Sequence, residues 1–167
     1  MVFGVGMVVS KELIVSDVNI LIDFYETEPK LLRILCSEFT VKVPQVVLDK
    51  VEQISNAKAQ ELGMEVVDTE YLSIERQGIG RLSFQDKMCA ELAIDLNASC
   101  LTNDKLLKNT IENEGLKAYW GMQMILLFVE RGLLDKTETF AIADRIFASN
   151  PWLRKIEESF REKLNHS

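Results

Sequence analysis

The chain has 167 residues, of which 47% are hydrophobic and 27% are charged, and these proportions predict one globular domain with a sizeable core. Its 19 basic and 26 acidic residues give a net charge of −7, which argues against broad electrostatic binding of nucleic acid but allows a local basic rim. The only histidine is His166, so neither a Ser-His or Cys-His catalytic system nor an imidazole-based zinc site is expected.

The cysteines and the apolar runs bear on where the protein works. Cys36, Cys89 and Cys100 are odd in number and lack the spacing of a metal site, so we expect reduced thiols in a cytoplasmic protein. The longest uncharged apolar run, residues 118–129, is too short to span a bilayer. No membrane association is therefore expected.

The first part of the chain alternates between apolar runs and helical patterns. The predicted elements are, in chain order, a strand at 12–16, helices at 18–25 and 30–36, a strand at 39–43, and helices at 44–54 and 56–62. Residues 1–11 precede them and are predicted to be an N-terminal extension, either ordered or disordered.

The second part continues the alternation and ends in helices only. The predicted elements are a strand at 64–67, a helix at 69–77, a loop at 78–80, a helix at 83–97, a strand at 98–101, a helix at 105–113, a strand at 116–119, and helices at 122–131, 136–148 and 151–164. This order predicts an α/β domain over residues 12–167, with a central parallel sheet of four or five strands and a helical C-terminal tail.

Three aspartates stand out against these elements. Asp17 and Asp104 each follow an apolar strand, where an open parallel sheet places its functional sites. Asp86 lies on the inward face of the helix between those strands, whereas helical projection places Glu91 and Asp95 on the outward face. Each aspartate alone could be a helix cap or a charge that complements the helix dipole.

Together the three acids predict a metal site. Carboxylates that lie close together cannot all ionise without a cation. An all-oxygen set of ligands, with no His and no Cys, selects Mg²⁺ or Mn²⁺.

Four segments, in this order, resemble the motifs of PIN domains, a family of metal-dependent ribonucleases that includes the VapC-type toxins. The segments are residues 14–19 (IVSDVN), 43–47 (VPQVV), 83–86 (SFQD) and 101–105 (LTNDK). Residues 121–132 (GMQMILLFVERG) are similar to the closing segment of many archaeal and bacterial members. The resemblance covers nearly the whole chain from Glu12 onward.

This resemblance implies a PIN-like three-layer α/β/α sandwich that hydrolyses RNA phosphodiesters. Asp17, Asp86 and Asp104 would be the catalytic acids and would hold one or two Mg²⁺ or Mn²⁺ ions. Asn19 and Thr102 would orient carboxylates or water, and Asn103 would flank the site. RNA is the implied substrate, and a small antitoxin protein is an implied partner.

Lys50 stands where the family usually has an acid. Projection of the predicted 44–54 helix places Lys50 at the edge of its apolar face, with Glu52 pointing largely outward. An inward ammonium would weaken metal binding, whereas a side chain that extends to solvent would not. Glu52 is the alternative fourth acid if its side chain turns inward. The second hypothesis is thus a catalytically degraded PIN-like domain that binds nucleic acid or protein.

Two further patterns concern partners. The predicted 122–131 helix is apolar nearly all round, so it is either deep core or the contact of a homodimer. Four cations near the acids could contact RNA phosphates or could form a solvated face: Arg81, Lys87, Lys105 and Lys108.

Overall fold

The computed structural model of the chain describes residues 10–69 and 81–167. Its strands form one five-stranded sheet in the order β3-β2-β1-β4-β5, and all neighbouring strands are parallel. The strands are β1 (Glu12–Ser16), β2 (Phe39–Pro44), β3 (Glu65–Val67), β4 (Ser99–Leu101) and β5 (Ala118–Tyr119). The predicted α/β class and the five-stranded parallel sheet are confirmed.

Helices follow the strands and pack against the sheet. They are α1 (Val18–Thr27), α2 (Lys30–Glu38), α3 (Gln45–Leu48), α4 (Asn56–Leu62), α5 (Phe84–Leu96), α6 (Lys105–Asn113), α7 (Gly121–Glu130), α8 (Lys136–Ser149) and α9 (Arg154–Asn165), with a 3₁₀ turn at Pro151–Leu153 before α9. None of the helices within the described ranges is long and apolar enough to cross a membrane.

The central strand β1 is buried because both of its neighbours are strands and helices cover its faces. Ile14 and Val15 are fully buried, as expected for a strand inside a parallel sheet. The register pairs Ser16 with Leu101, and the backbone N–H of Asp17 donates to the carbonyl of Leu101 at 3.2 Å. The residues that follow β1 and β4 therefore lie side by side at the carboxyl edge of the sheet.

The apolar helix predicted at 122–131 is part of the core. It is α7, and its Met124, Ile125 and Phe128 side chains are fully buried within the chain. The three cysteines are unpaired, and Cys89 and Cys100 are buried. Of the two alternatives given for this helix, burial inside one chain accounts for its composition.

Two predictions about helices are wrong. The helix expected over 44–54 ends at Leu48, because Lys50 and Val51 donate to the carbonyls of Val47 and Leu48 in tight turns.

Glu91 was expected on the outward face of α5, but it is only 4% exposed. The projection assumed one buried face, whereas α5 packs against α3 and α6 as well as against the sheet. Residues 1–9 of the predicted N-terminal extension, residues 70–77 of the predicted 69–77 helix and the predicted 78–80 loop lie outside the described residues.

Candidate functional site

Asp17 is the most deeply buried acid at the carboxyl edge of the sheet. It directly follows β1, and only 2% of its surface is exposed. Its Oδ1 accepts a hydrogen bond from the backbone N–H of Ile20 at 2.9 Å and so caps α1. Its Oδ2 accepts a hydrogen bond from the Thr102 hydroxyl. The predicted cap is therefore present, and it leaves a carboxylate inside the protein.

Thr102 connects Asp17 to the loop that carries Asp104. Thr102 is fully buried directly after β4, and its hydroxyl oxygen accepts a hydrogen bond from the backbone N–H of Asp104 at 2.9 Å. Asp104 is exposed and caps α6, because its Oδ1 accepts from the backbone N–H of Leu107 at 2.9 Å. The predicted role of Thr102 in orienting a carboxylate agrees with these contacts.

Asp86 reaches the same edge from α5. It lies in the first turn of that helix, where its backbone N–H donates to the hydroxyl of the capping Ser83 at 3.1 Å. Its side chain is half-buried. The helix contacts both β1 and β4, which places the start of α5 next to the strand ends that carry the other two aspartates.

The electrostatics of the site connect the three acids, since Asp86 and Asp104 act on Asp17 and Asp104 acts on Asp86. Burial raises the pKa of Asp17 to about 7, against the hydrogen bonds from Thr102 and Ile20, and the charges of Asp86 and Asp104 raise it further. Burial also raises the pKa of Asp86, the charge of Asp104 adds to this rise, and the bond to Ser83 opposes it. The main charges that act on these two carboxyls are thus other carboxylates.

A divalent cation fits this set in charge and in donor chemistry. The carboxylates are hard oxygen ligands, and a cation would offset both the burial that mainly raises the pKa values of Asp17 and Asp86 and the smaller effect of the neighbouring carboxylates. However, among residues 10–69 and 81–167 no group of three or more His, Cys, Asp or Glu side chains is placed to hold a metal ion. One ion shared by all three carboxylates would therefore require a change in the conformation of at least one of these side chains.

The two predicted supporting asparagines differ in position. Asn19 is exposed in the first turn of α1, and its side chain makes no hydrogen bond to another described residue. Asn103 is half-buried, and its Oδ1 accepts a hydrogen bond from the backbone N–H of Gly121 at 3.0 Å. Asn103 therefore ties the loop between β4 and α6 to the start of α7.

Gly121 is a structural requirement of the site that the sequence analysis did not identify. A Cβ atom on Gly121 would lie 2.8 Å from Cδ1 of Ile20 and 3.3 Å from Oδ1 of Asn103. A side chain at residue 121 would therefore require the end of the Ile20 side chain to shift and Asn103 to give way slightly, whereas glycine lets α7 begin close to both without such a change. Its place at the head of the 121–132 segment was the available signal.

Lys50 and Glu52 do not take part in the acidic set. Both are exposed on the turns that follow α3, and neither is among the main groups that shift the pKa of Asp17 or Asp86. The ammonium of Lys50 is thus placed to extend into solvent. Glu52, the alternative fourth acid, stays a prediction that these contacts do not support.

The four cations near the acids divide into two groups. Lys108 is engaged, since its Nζ lies 2.9 Å from Oε2 of Glu112 and 5.1 Å from the centroid of the Trp120 ring. Arg81 and Lys105 are exposed and Lys87 is half-buried, and none of these three forms an ion pair with another described residue.

Comparison with known proteins identifies a solved structure with a similar fold. No family model matches the chain, and no curated protein matches it. Among solved structures, a PilT N-terminus domain protein from the hyperthermophilic archaeon Sulfolobus solfataricus P2 is similar, with a TM-score of 0.54 and 15% sequence identity. The match covers 68% of this chain and 90% of that chain. At this identity the likeness shows the fold alone, and that fold is the PIN-like α/β fold that the motifs predicted.

Proposed function

We propose that this protein is a Mg²⁺- or Mn²⁺-dependent ribonuclease of the PIN type, related in activity to the VapC toxins. The observation that carries the proposal is the buried carboxylate of Asp17, whose pKa is raised to about 7 by burial and by the charges of Asp86 and Asp104. Groups with strongly perturbed pKa values cluster at functional sites, and this one lies at the edge of the sheet where open α/β folds bind ligands.

In this proposal Asp17, Asp86 and Asp104 hold the cation. When bound, the cation supplies positive charge that stabilises the phosphate as water attacks phosphorus and the leaving oxygen departs. Thr102 holds the Asp17 carboxylate in place through its hydroxyl, and Asn103 fixes the adjoining loop against α7. The free carboxylate oxygens of Asp86 and Asp104 can accept hydrogen bonds from water and so orient it.

Cation binding and protonation compete at this site. A carboxyl with a pKa of about 7 is partly protonated near neutral pH, whereas a metal ligand must be ionised. Binding of the cation is therefore expected to release a proton from Asp17 and to become tighter as the pH rises. Cleavage should likewise increase between about pH 6 and pH 8.

The proposal is tested by Mn²⁺-dependent cleavage of a labelled single-stranded RNA. Asp17→Asn and Asp104→Asn retain the capping oxygen but remove the charge, so we expect each to lower the cleavage rate by about a hundredfold or more. Asp135→Asn is the matched control, because Asp135 is exposed and caps α8 through a 2.7 Å bond from Glu138 N–H, as Asp104 caps α6. It should cleave like the wild type.

Equal cleavage by the wild type, Asp17→Asn and Asp104→Asn would contradict the proposal, since the activity would then not depend on these aspartates. Each variant must be purified in parallel, because a contaminating ribonuclease would give this same uniform result. Adding EDTA to the wild type should abolish cleavage, which links the activity to a divalent cation.

The second candidate function is a PIN-like domain that binds nucleic acid or protein without cleaving it. The observation that favours it is the absence, among the described residues, of three acids placed to hold one metal ion. Calorimetric titration with Mn²⁺ separates the two functions. A ribonuclease requires Mn²⁺ binding that Asp17→Asn abolishes, whereas a binding module would take up RNA without it.

A further inference from the structure

A groove of about 430 Å³ lies between α6, the start of α7 and α9. Three lysines line it, Lys108, Lys155 and Lys163, and the described residues contribute no carboxylate to its lining. The whole chain has more acidic residues (26) than basic residues (19), whereas the charged residues that line this groove are all basic. We call this feature the α6–α9 groove.

The α6–α9 groove begins next to the candidate site. Lys108 lies one helical turn after Asp104, because its backbone N–H donates to the Asp104 carbonyl at 3.0 Å. On the other wall, Trp120 directly precedes Gly121. The backbone N–H of Gly121 donates a hydrogen bond to Asn103, the residue before Asp104. An extended polymer that is bound at Asp104 can therefore continue into the groove.

The lysines of the groove have different roles. Lys108 is held between Glu112 and the Trp120 ring, and only 14% of its side chain is exposed, so Glu112 neutralises much of its charge. Lys155 and Lys163 are exposed, and neither forms an ion pair with another described residue. These two side chains carry the charge that the groove offers to a ligand.

Helix α9 directs a row of side chains toward the groove. Lys155, Ser159 and Lys163 follow one another at intervals of four residues and so form one row that faces the groove. The cleft on the opposite side, toward α8, is lined by charges of both signs on α9, which are Arg154, Glu157, Glu158, Arg161 and Glu162. The row spans about 12 Å from Lys155 to Lys163, which lets one extended strand contact both lysines.

We propose that the α6–α9 groove binds the phosphate backbone of single-stranded RNA that extends from the cleavage site. Lys155 and Lys163 contact phosphates, and the apolar side chains between them contact the sugars and bases. The inference deepens the proposed function and rests on it for the choice of ligand. Local attraction at this groove also explains how a chain with a net charge of −7 can bind a polyanion.

The test measures the affinity for a short fluorescein-labelled oligouridylate by fluorescence anisotropy in EDTA, where no metal-dependent cleavage occurs. The test variant is Lys155→Glu with Lys163→Glu. The control is Lys11→Glu with Lys117→Glu, which makes the same change in net charge at exposed lysines that precede β1 and β5, at the opposite edge of the sheet.

We expect the RNA affinity of the test variant to fall by on the order of tenfold, whereas the RNA affinity of the control should change little. The plot of log K against log salt should also become less steep by about 1.4, the value for two lost phosphate contacts on a single strand. Lys155→Arg with Lys163→Arg should retain the wild-type affinity. An unchanged affinity of the test variant, or an equal loss in test and control, would overturn the proposal.

The design separates this inference from the proposed function. If the protein binds RNA through Lys155 and Lys163 but cleaves none with Mn²⁺, the ribonuclease proposal fails and the groove stands. If Asp17-dependent cleavage is found but the lysine pair changes neither affinity nor salt dependence, the groove alone fails.

Discussion

The hydroxyl of Thr102 donates a hydrogen bond to the carboxylate of Asp17, across the boundary between β4 and β1. The same oxygen accepts a hydrogen bond from the backbone N–H of Asp104 at 2.9 Å. One buried hydroxyl thereby fixes the direction of the Asp17 carboxylate and the position of the loop that carries Asp104. This connection is the most specific structural feature of the proposed site.

Thr102→Val keeps the shape of the side chain but removes that hydroxyl. A hydrogen bond to an ionised carboxylate lowers its pKa, so we expect the pKa of Asp17 to rise above its wild-type value. The free energy of unfolding should fall by roughly 1–3 kcal/mol at neutral pH, because the buried Asp17 carboxylate and the Asp104 N–H each lose a partner. NMR titration of the Asp17 carboxyl carbon measures the first effect, and chemical denaturation measures the second.

Thr139→Val is the control for this change. Thr139 is also fully buried, but its hydroxyl donates to the Asp135 carbonyl within the first turn of α8. Its removal should leave the titration of Asp17 unchanged. If Thr102→Val and Thr139→Val gave the same Asp17 titration, Thr102 would have no special part in the site.

The raised pKa of Asp17 makes the stability of the metal-free protein depend on pH. Between the ordinary value of 3.8 and the folded value of about 7, the folded protein keeps a proton that the unfolded chain releases. The free energy of unfolding should therefore fall as the pH rises from about 4 to 7, by on the order of 4 kcal/mol in total. Chemical denaturation in EDTA at a series of pH values measures this dependence.

Asp17→Asn should remove most of that dependence, because asparagine does not ionise. Its oxygen can still accept from the backbone N–H of Ile20, whereas its NH₂ group would donate to the Thr102 hydroxyl instead of accepting from it. We expect the variant to be more stable than the wild type at pH 8 and similar to it at pH 4. Asp135→Asn, at the exposed cap of α8, should follow the wild-type curve. An Asp17→Asn curve that runs parallel to the wild type would show that Asp17 titrates normally.

Gly121→Ala should destabilise the junction of α1, α7 and the Asn103 loop. The new Cβ atom would overlap Cδ1 of the fully buried Ile20, and such overpacking costs roughly 1–3 kcal/mol. Ile20→Val removes the overlapping atom, so the double variant should recover part of the loss in a double-mutant cycle. If the two substitutions lowered the free energy of unfolding additively, residues 20 and 121 would not be in contact.

Lys50→Glu tests whether the missing acid of the PIN pattern matters. Lys50 is exposed on a turn after α3 and does not act on Asp17 or Asp86, so the substitution should change the Mn²⁺ affinity by less than about threefold. Calorimetric titration of both proteins measures the ratio. Tightening by more than about tenfold would place residue 50 at the metal and would favour the degraded-site hypothesis.

The sequence could predict the sheet and the helix caps because both depend on local patterns. Short apolar runs identified all five strands, and Asp17, Ser83 and Asp104 cap α1, α5 and α6 as polar residues before helices do. The capping and metal-binding interpretations of Asp104 are compatible, since its Oδ1 caps α6 and leaves Oδ2 for a cation. In Asp17, Oδ1 caps α1 and Oδ2 accepts from Thr102, so a cation would share Oδ2 with that hydrogen bond.

The rest depended on packing that no local pattern encodes. The end of α3 at Leu48, and with it the position of Lys50, follows from turn hydrogen bonds rather than from apolar periodicity. The burial of Glu91 follows from helices that pack against α5 from outside the sheet. The shared site of the three acids stays a prediction, because the distances between their carboxylates are set by side-chain conformations that a sequence cannot supply.

The most direct test of the central claim is the anomalous scattering of a crystal soaked in Mn²⁺. We predict an anomalous peak bound by an oxygen of Asp17 and by Asp86, Asp104 or both, and no such peak in crystals of Asp17→Asn. Peaks found only at other acids, or no peak near Asp17 at a concentration that saturates binding in solution, would contradict the claim that these three aspartates hold a common cation.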